Sequence, residues 1–247
     1  MVNKLVIKNI IDKYYLGEND SVKWAIENKK LTIPFMSASR ELIGKITHSN
    51  FNLEDCNLAI FDTKKLLNLI TITHGNLLFN FEKVKSFYTK MHFADENFNL
   101  TYALADPLLI AKVGEVTEPD WDSIIPLSKD SMAHLIKAKS ALSGETNTNI
   151  MATSVEKDLN GDDQFMFTFG DEHGHNNKVR YQMGGIIKES KEAIPYNSDT
   201  FKNILNVNKD MENGCLYFSY KGLMKMEFTL GELTSTYYLV RRESTSF

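Results

Sequence analysis

The chain repeats itself. Asp62-Thr63-Lys64-Lys65-Leu66-Leu67-Asn68-Leu69, followed by Gly75-Asn76-Leu77-Leu78-Phe79-Asn80-Phe81, reads as a short helix and then a strand. The same order returns as Asp199-Thr200-Phe201-Lys202-Asn203-Ile204-Leu205-Asn206 and Gly214-Cys215-Leu216-Tyr217-Phe218-Ser219-Tyr220. Lys90-Met91-His92-Phe93 is then matched by Lys225-Met226-Glu227-Phe228, and Thr101-Tyr102-Ala103-Leu104-Ala105 by Thr236-Tyr237-Tyr238-Leu239-Val240. Four matches in one order, about 135 to 139 residues apart, set the architecture before any element is assigned. They predict two tandem copies of one small α+β domain. The expected divisions are 1–113, a connector at 114–120, and 121–247.

Each copy is long enough to bury its own core. The 43% hydrophobic and 24% charged residues suit a globular chain. No apolar run reaches the length of a membrane span, and the first residues lack the pattern of a signal peptide, so a cytoplasmic protein is expected. Cys56 and Cys215 fall at non-equivalent positions in apolar surroundings, which suits buried reduced thiols rather than a disulfide or a metal site.

Apolar spacing predicts a helix over 4–16, with Leu5, Ile7, Ile10, Ile11 and Tyr14 on one face and Gly17 at its end. Strands are expected at 22–27, 31–37, 41–48 and 58–61, then a helix at 62–70 capped by Asp62, then three strands ending near Ala105. The second half follows the same plan. A helix capped near Ser128 runs to about Leu142, strands lie at 149–157, 164–170 and 178–183, and a helix at 198–207 precedes three closing strands. Two helices packed on antiparallel sheet are expected in each copy.

Two loops invite a metal reading. Asp171-Glu172-His173-Gly174-His175 places two imidazoles beside two carboxylates, which would suit Zn²⁺ in a hydrolase built on His173 and His175. Asp158-Leu159-Asn160-Gly161-Asp162-Asp163 lacks the spacing and closing glutamate of a calcium loop, and its Asn-Gly pair marks a hairpin turn. No phosphate loop, nucleophile elbow or Cys–His pairing is present, so no enzyme activity and no cofactor are implied.

The stronger signal is charge placement. The net charge is −4, yet every helix carries lysine away from its apolar face: Lys4 and Lys8; Lys64 and Lys65; Lys137 and Lys139; Lys202, with Lys209 just beyond. Acidic residues gather in loops and in the connector. An acidic body with four basic helices can hold a polyanion on its helical side and repel it elsewhere. The plainer alternative is a monomeric two-domain interaction module whose lysines only keep it soluble.

Asn57-Leu58-Ala59-Ile60-Phe61-Asp62 leading into Leu66-Leu67-Asn68-Leu69, then Leu104-Ala105-Asp106-Pro107, resembles the DNA sliding clamps of T-even-type bacteriophages. So do the segment 127–142, with Lys137 at a basic position, and the ending from Tyr237-Tyr238-Leu239-Val240 to Phe247. The resemblance spans nearly the whole chain and departs from it at 158–176 and 186–197. It implies the DNA clamp fold and a homotrimeric ring around duplex DNA, lined by the eight helix lysines named above. The ring would act as a processivity factor that tethers the DNA polymerase, be opened by an ATP-dependent clamp loader, and assist late transcription in the infected bacterial host. Partner tails would dock near Leu108, Leu109 and Ile110 and near Tyr238 and Val240.

Overall fold

The computed structural model describes residues 1–145, 148–170, 177–188 and 193–242. They form two compact units. The first takes Met1–Ala38, Ile43–Glu115 and Gly231–Ser235; the second takes Ser39–Leu42, Val116–Leu230 and Thr236–Phe247. Among the described residues no helix is long and apolar enough to cross a membrane.

The elements of the first half are β1 (Val2–Asn3), α1 (Lys4–Tyr15), β2 (Val22–Glu27), β3 (Lys30–Met36), β4 (Leu42–His48), β5 (Cys56–Ile60), α2 (Thr63–Thr71), β6 (Asn76–Val84), β7 (Phe87–Ala94) and β8 (Asn99–Ala103). A single 3-10 turn, Pro107–Leu109, follows. Hydrogen bonding orders the strands β4-β3-β2-β5 and β1-β6-β7-β8, and the pairings are antiparallel. The second half gives β9 (Ser123–Pro126), α3 (Lys129–Ser140), β10 (Ile150–Lys157), β11 (Asp163–Phe169), β12 (Val179–Met183), β13 (Ile186–Ile187), β14 (Ile194–Asn197), α4 (Ser198–Asn208), β15 (Asn213–Ser219), β16 (Leu223–Leu230) and β17 (Leu233–Val240). Their orders are β12-β11-β10-β14 and β13-β9-β15-β16-β17. With β13 set aside, the second half reproduces the first strand for strand. The repeat read from the sequence is a repeat of topology.

Packing follows the apolar spacing. On α1, Ile7, Ile10, Ile11 and Tyr14 are fully buried, and the Tyr14 ring meets Trp24 edge-on, which in turn meets Phe51. Leu5 is not part of that face: two residues before Ile7 it lies on the far side of the helix, 70% exposed. The helix ends at Tyr15, two residues before Gly17. Leu16 itself takes the left-handed conformation at φ 48°, and burying its side chain offsets that strain. The second unit is centred on aromatic side chains, with Phe165, Phe167, Phe201 and Phe218 in edge-on or tilted contact. Gly44 is fixed by its cross-strand partner Phe35, whose ring would lie 2.1 Å from an added Cβ.

The later helices of the two halves, α2 and α4, share a register that the sequence match misplaces. Asp62 caps α2 by accepting the amide of Lys65 at 2.8 Å. In α4 that role belongs to Asn197, which accepts the amides of Asp199 and Thr200 at 3.1 Å each. Counting from the caps pairs the buried residues Thr63 with Ser198, Leu66 with Phe201 and Ile70 with Leu205. The equivalence of Asp62 with Asp199 is therefore corrected by two residues. Lys202 corresponds to Leu67, not to Lys65.

Candidate nucleic-acid interface

Helix faces turned away from the cores are where a polyanion could lie, and the eight lysines divide into two groups there. Lys64 and Lys65 on α2, Lys137 on α3 and Lys209 at the end of α4 are exposed, and Lys202 is half-buried. Among the described residues none of these five has an ion pair. The other three are engaged. The Lys4 ammonium reaches across to the end of α2, donating to the Thr71 carbonyl at 2.8 Å and also to the Thr73 carbonyl. That is a favourable place for a cation, because the last carbonyls of a helix carry its negative pole. Lys8 pairs with Asp12 one turn along at 2.5 Å. Lys139 is buried, donating to the Thr148 carbonyl at 2.6 Å and pairing with Asp199 at 3.1 Å. It ties the end of α3 to the first turn of α4.

Sequence reasoning did not find Lys129. It is the first residue of α3 and is exposed, at the position that Lys4 holds on α1 when both are counted from their caps, Asn3 and Ser128. His134 also lies on the exposed side of α3, with Nδ1 3.3 Å from the Tyr181 hydroxyl.

The residues expected to receive partner tails fall into both units. Leu108 and Leu109 are 84% and 79% exposed, held out by the 3-10 turn that Asp106 caps by accepting the Leu108 amide. Ile110 is half-buried. In the second unit Val240 is exposed, but Tyr238 is occupied: its hydroxyl donates to Glu118 at 2.6 Å. Glu118 also accepts from Lys225 at 3.0 Å and from the Trp121 indole at 3.3 Å. Burial pushes the Glu118 carboxyl up, but the hydrogen bonds from Tyr238 and Lys225 outweigh it and hold the group below the usual glutamate range. The second half of the connector is thereby fastened to the β15-β16-β17 sheet. Sequence periodicity carries no signal for such a bond.

Neither metal loop gains support. Residues 171–176, with His173 and His175, lie outside the described residues. Among the described residues no group of three His, Cys, Asp or Glu could hold a metal ion. The 158–163 loop is a hairpin turn whose Asp158 carboxylate accepts the amides of Asn160 and Asp162 at 2.8 and 3.0 Å. Cys56 is buried, which pushes its thiol up to about 12. Cys215 is only partly covered, contrary to the sequence expectation, and burial raises its thiol too.

No family model and no curated protein matches this sequence. Solved structures do. The PCNA of A. fulgidus, solved with the C-terminal region of FEN-1 bound, superposes over 99% of this chain and 98% of its own, with a TM-score of 0.77 at 12% identity. The proliferating cellular nuclear antigen of Entamoeba histolytica gives 0.74 at 14% identity over 98% and 96% of the two chains. The Sulfolobus tokodaii PCNA2–PCNA3 complex gives 0.68 at 12% identity, with 98% of both chains covered. The chain has the DNA sliding-clamp fold. At such low identity the likeness fixes the fold of two similar α+β domains and leaves the chemistry of the helix faces to this chain's own residues.

Proposed function

We propose that this protein is a sliding clamp: three copies close into a ring around duplex DNA and tether the replicative DNA polymerase. The observation that carries the reading is the clamp fold over essentially the whole chain, with exposed lysines on helix faces of both units. Lysines on a ring's inner wall contact phosphates without reading bases, so the ring slides. Tethering turns polymerase dissociation into rapid rebinding at high effective concentration.

Self-assembly is supported by two different sheet ends. β8 ends one four-stranded sheet and β12 ends another. End strands offer unpaired amides and carbonyls to a further strand. Pairing β8 of one copy with β12 of the next is a head-to-tail contact, which closes a ring when the rotation per copy divides a full turn. The domain divisions 1–113, 114–120 and 121–247 belong to this reading, as do Leu108, Leu109, Ile110, Tyr238 and Val240 as landing points for partner tails. The PCNA of A. fulgidus binds the C-terminal region of FEN-1, and partner tails of that kind are what we expect here. An ATP-dependent loader, a late-transcription role, a bacteriophage source and the cytoplasm of an infected host complete the proposal; they rest on the sequence resemblance.

Threading is tested with a short duplex whose two ends are either open or blocked by bulky protein before mixing. A ring binds the open duplex and not the blocked one. Equal binding to both would show that the protein grips the side of DNA instead of encircling it.

A further inference from the structure

If the clamp reading holds, the resemblance implies a lining contributed evenly by every helix; the side-chain contacts point elsewhere. Counted from their caps, α1 and α3 are equivalent helices, each with three lysines and one aspartate, that engage those lysines differently. Lys4 is drawn onto the carbonyls at the end of α2, whereas its counterpart Lys129 is exposed. Asp12 occupies the position that Lys137 holds on α3, and it closes an ion pair with Lys8. The same face of α1 bears Leu5, 70% exposed. A lysine whose charge is already shared with a carboxylate, or held on two carbonyls, is drawn away from a phosphate and releases less counterion when it meets one. On α4, Lys202 is half-buried, and Lys209 lies beyond the last turn beside exposed Asp210; on α3 one exposed carboxylate, Asp130, stands beside Lys129 and leaves Lys137 clear.

We infer that α2 and α3 carry the phosphate contacts, through Lys64, Lys65, Lys129 and Lys137, and that α1 contributes none. The grip on DNA then repeats once per copy of the chain, not once per half-copy: the repeat is sixfold in topology and threefold in charge. Lys129 becomes a binding residue, while Lys4, Lys8 and Lys139 are structural.

The test is the salt dependence of binding to the open-ended duplex, followed by fluorescence anisotropy from about 50 to 200 mM salt. Changing Lys64, Lys65, Lys129 and Lys137 to Gln flattens the log–log slope by ~0.9 for each phosphate contact removed. Lys8→Gln leaves the slope unchanged. Lys4→Gln also leaves it unchanged while lowering the melting temperature, so the two roles separate in one variant. A slope flattened by Lys4→Gln or Lys8→Gln, or one untouched by the fourfold change, overturns the inference. Failure of the unaltered protein to bind any duplex overturns the clamp reading instead, and this inference with it.

Discussion

Lys139→Met separates a structural lysine from a DNA-contacting one. Methionine keeps the length and apolar stem of lysine but removes the ammonium that donates to Thr148 and pairs with Asp199. Three effects enter. A hydrogen bond to a charged donor contributes about 1.5–3 kcal/mol. The Thr148 carbonyl, left with one partner fewer in a half-buried site, costs about 1 kcal/mol or more. Against these, burying a thioether instead of an ammonium recovers part of the loss. The sum is a destabilisation of roughly 2–3 kcal/mol, or a fall in melting temperature of about 4–12 °C for a chain of this size. Differential scanning calorimetry measures it, and the salt slope for duplex binding is the second readout. The expected result is a large thermal shift with an unchanged slope. An unchanged melting temperature with a flattened slope would instead place the ammonium on DNA and not on Thr148.

Other consequences are equally direct. Asn197→Ala removes the α4 cap and the bond from Asn197 to Glu41 at 2.9 Å, and should cost about 1–3 kcal/mol in chemical denaturation; a loss no larger than a few tenths would restore Asp199 as the cap. Gly44→Ala drives a Cβ into the buried Phe35 ring and should destabilise by about 1–3 kcal/mol, with crystallography or NMR showing the ring displaced. Glu118→Gln should speed amide exchange across 116–121 without moving the global unfolding midpoint appreciably. Because the Glu118 carboxyl is held below its ordinary value of 4.5, its contribution is complete above that value and is lost as pH falls through the lowered one. The same loosening should therefore appear in the unaltered protein only under acid conditions, and a protection factor (the intrinsic pH dependence of exchange divided out) that stays equal across that range would contradict the fastening.

Much of the fold was legible because it is written in local chemistry. The 3.6-residue spacing of Ile7, Ile10, Ile11 and Tyr14 marks α1, the Asp62 cap marks α2, and the four segments of 62–105 matched in order within 199–240 give the doubled architecture. What stayed hidden depends on partners distant in sequence. Nothing near Lys4 announces that its ammonium will find carbonyls at Thr71 and Thr73, and nothing near Lys139 announces Thr148 and Asp199. Helical position separates a lysine from an apolar face, but only tertiary contacts decide whether its charge remains available. The two-residue slip in the repeat has a different origin. Asp-Thr opens both matched segments, and a sequence match rewards that identity, while the chain uses the side chain of Asn197 to start α4. Leu5 shows the same weakness at smaller scale, since an apolar residue near a helix start need not belong to its buried stripe.

The proposed ring of three copies has a definite mass in solution. Three chains of 28.2 kDa give about 85 kDa. Light scattering across a dilution series should return that mass at high concentration, with dissociation toward the single chain only on dilution. A mass of one chain that stays constant at every concentration would contradict the ring and favour the two-domain interaction module.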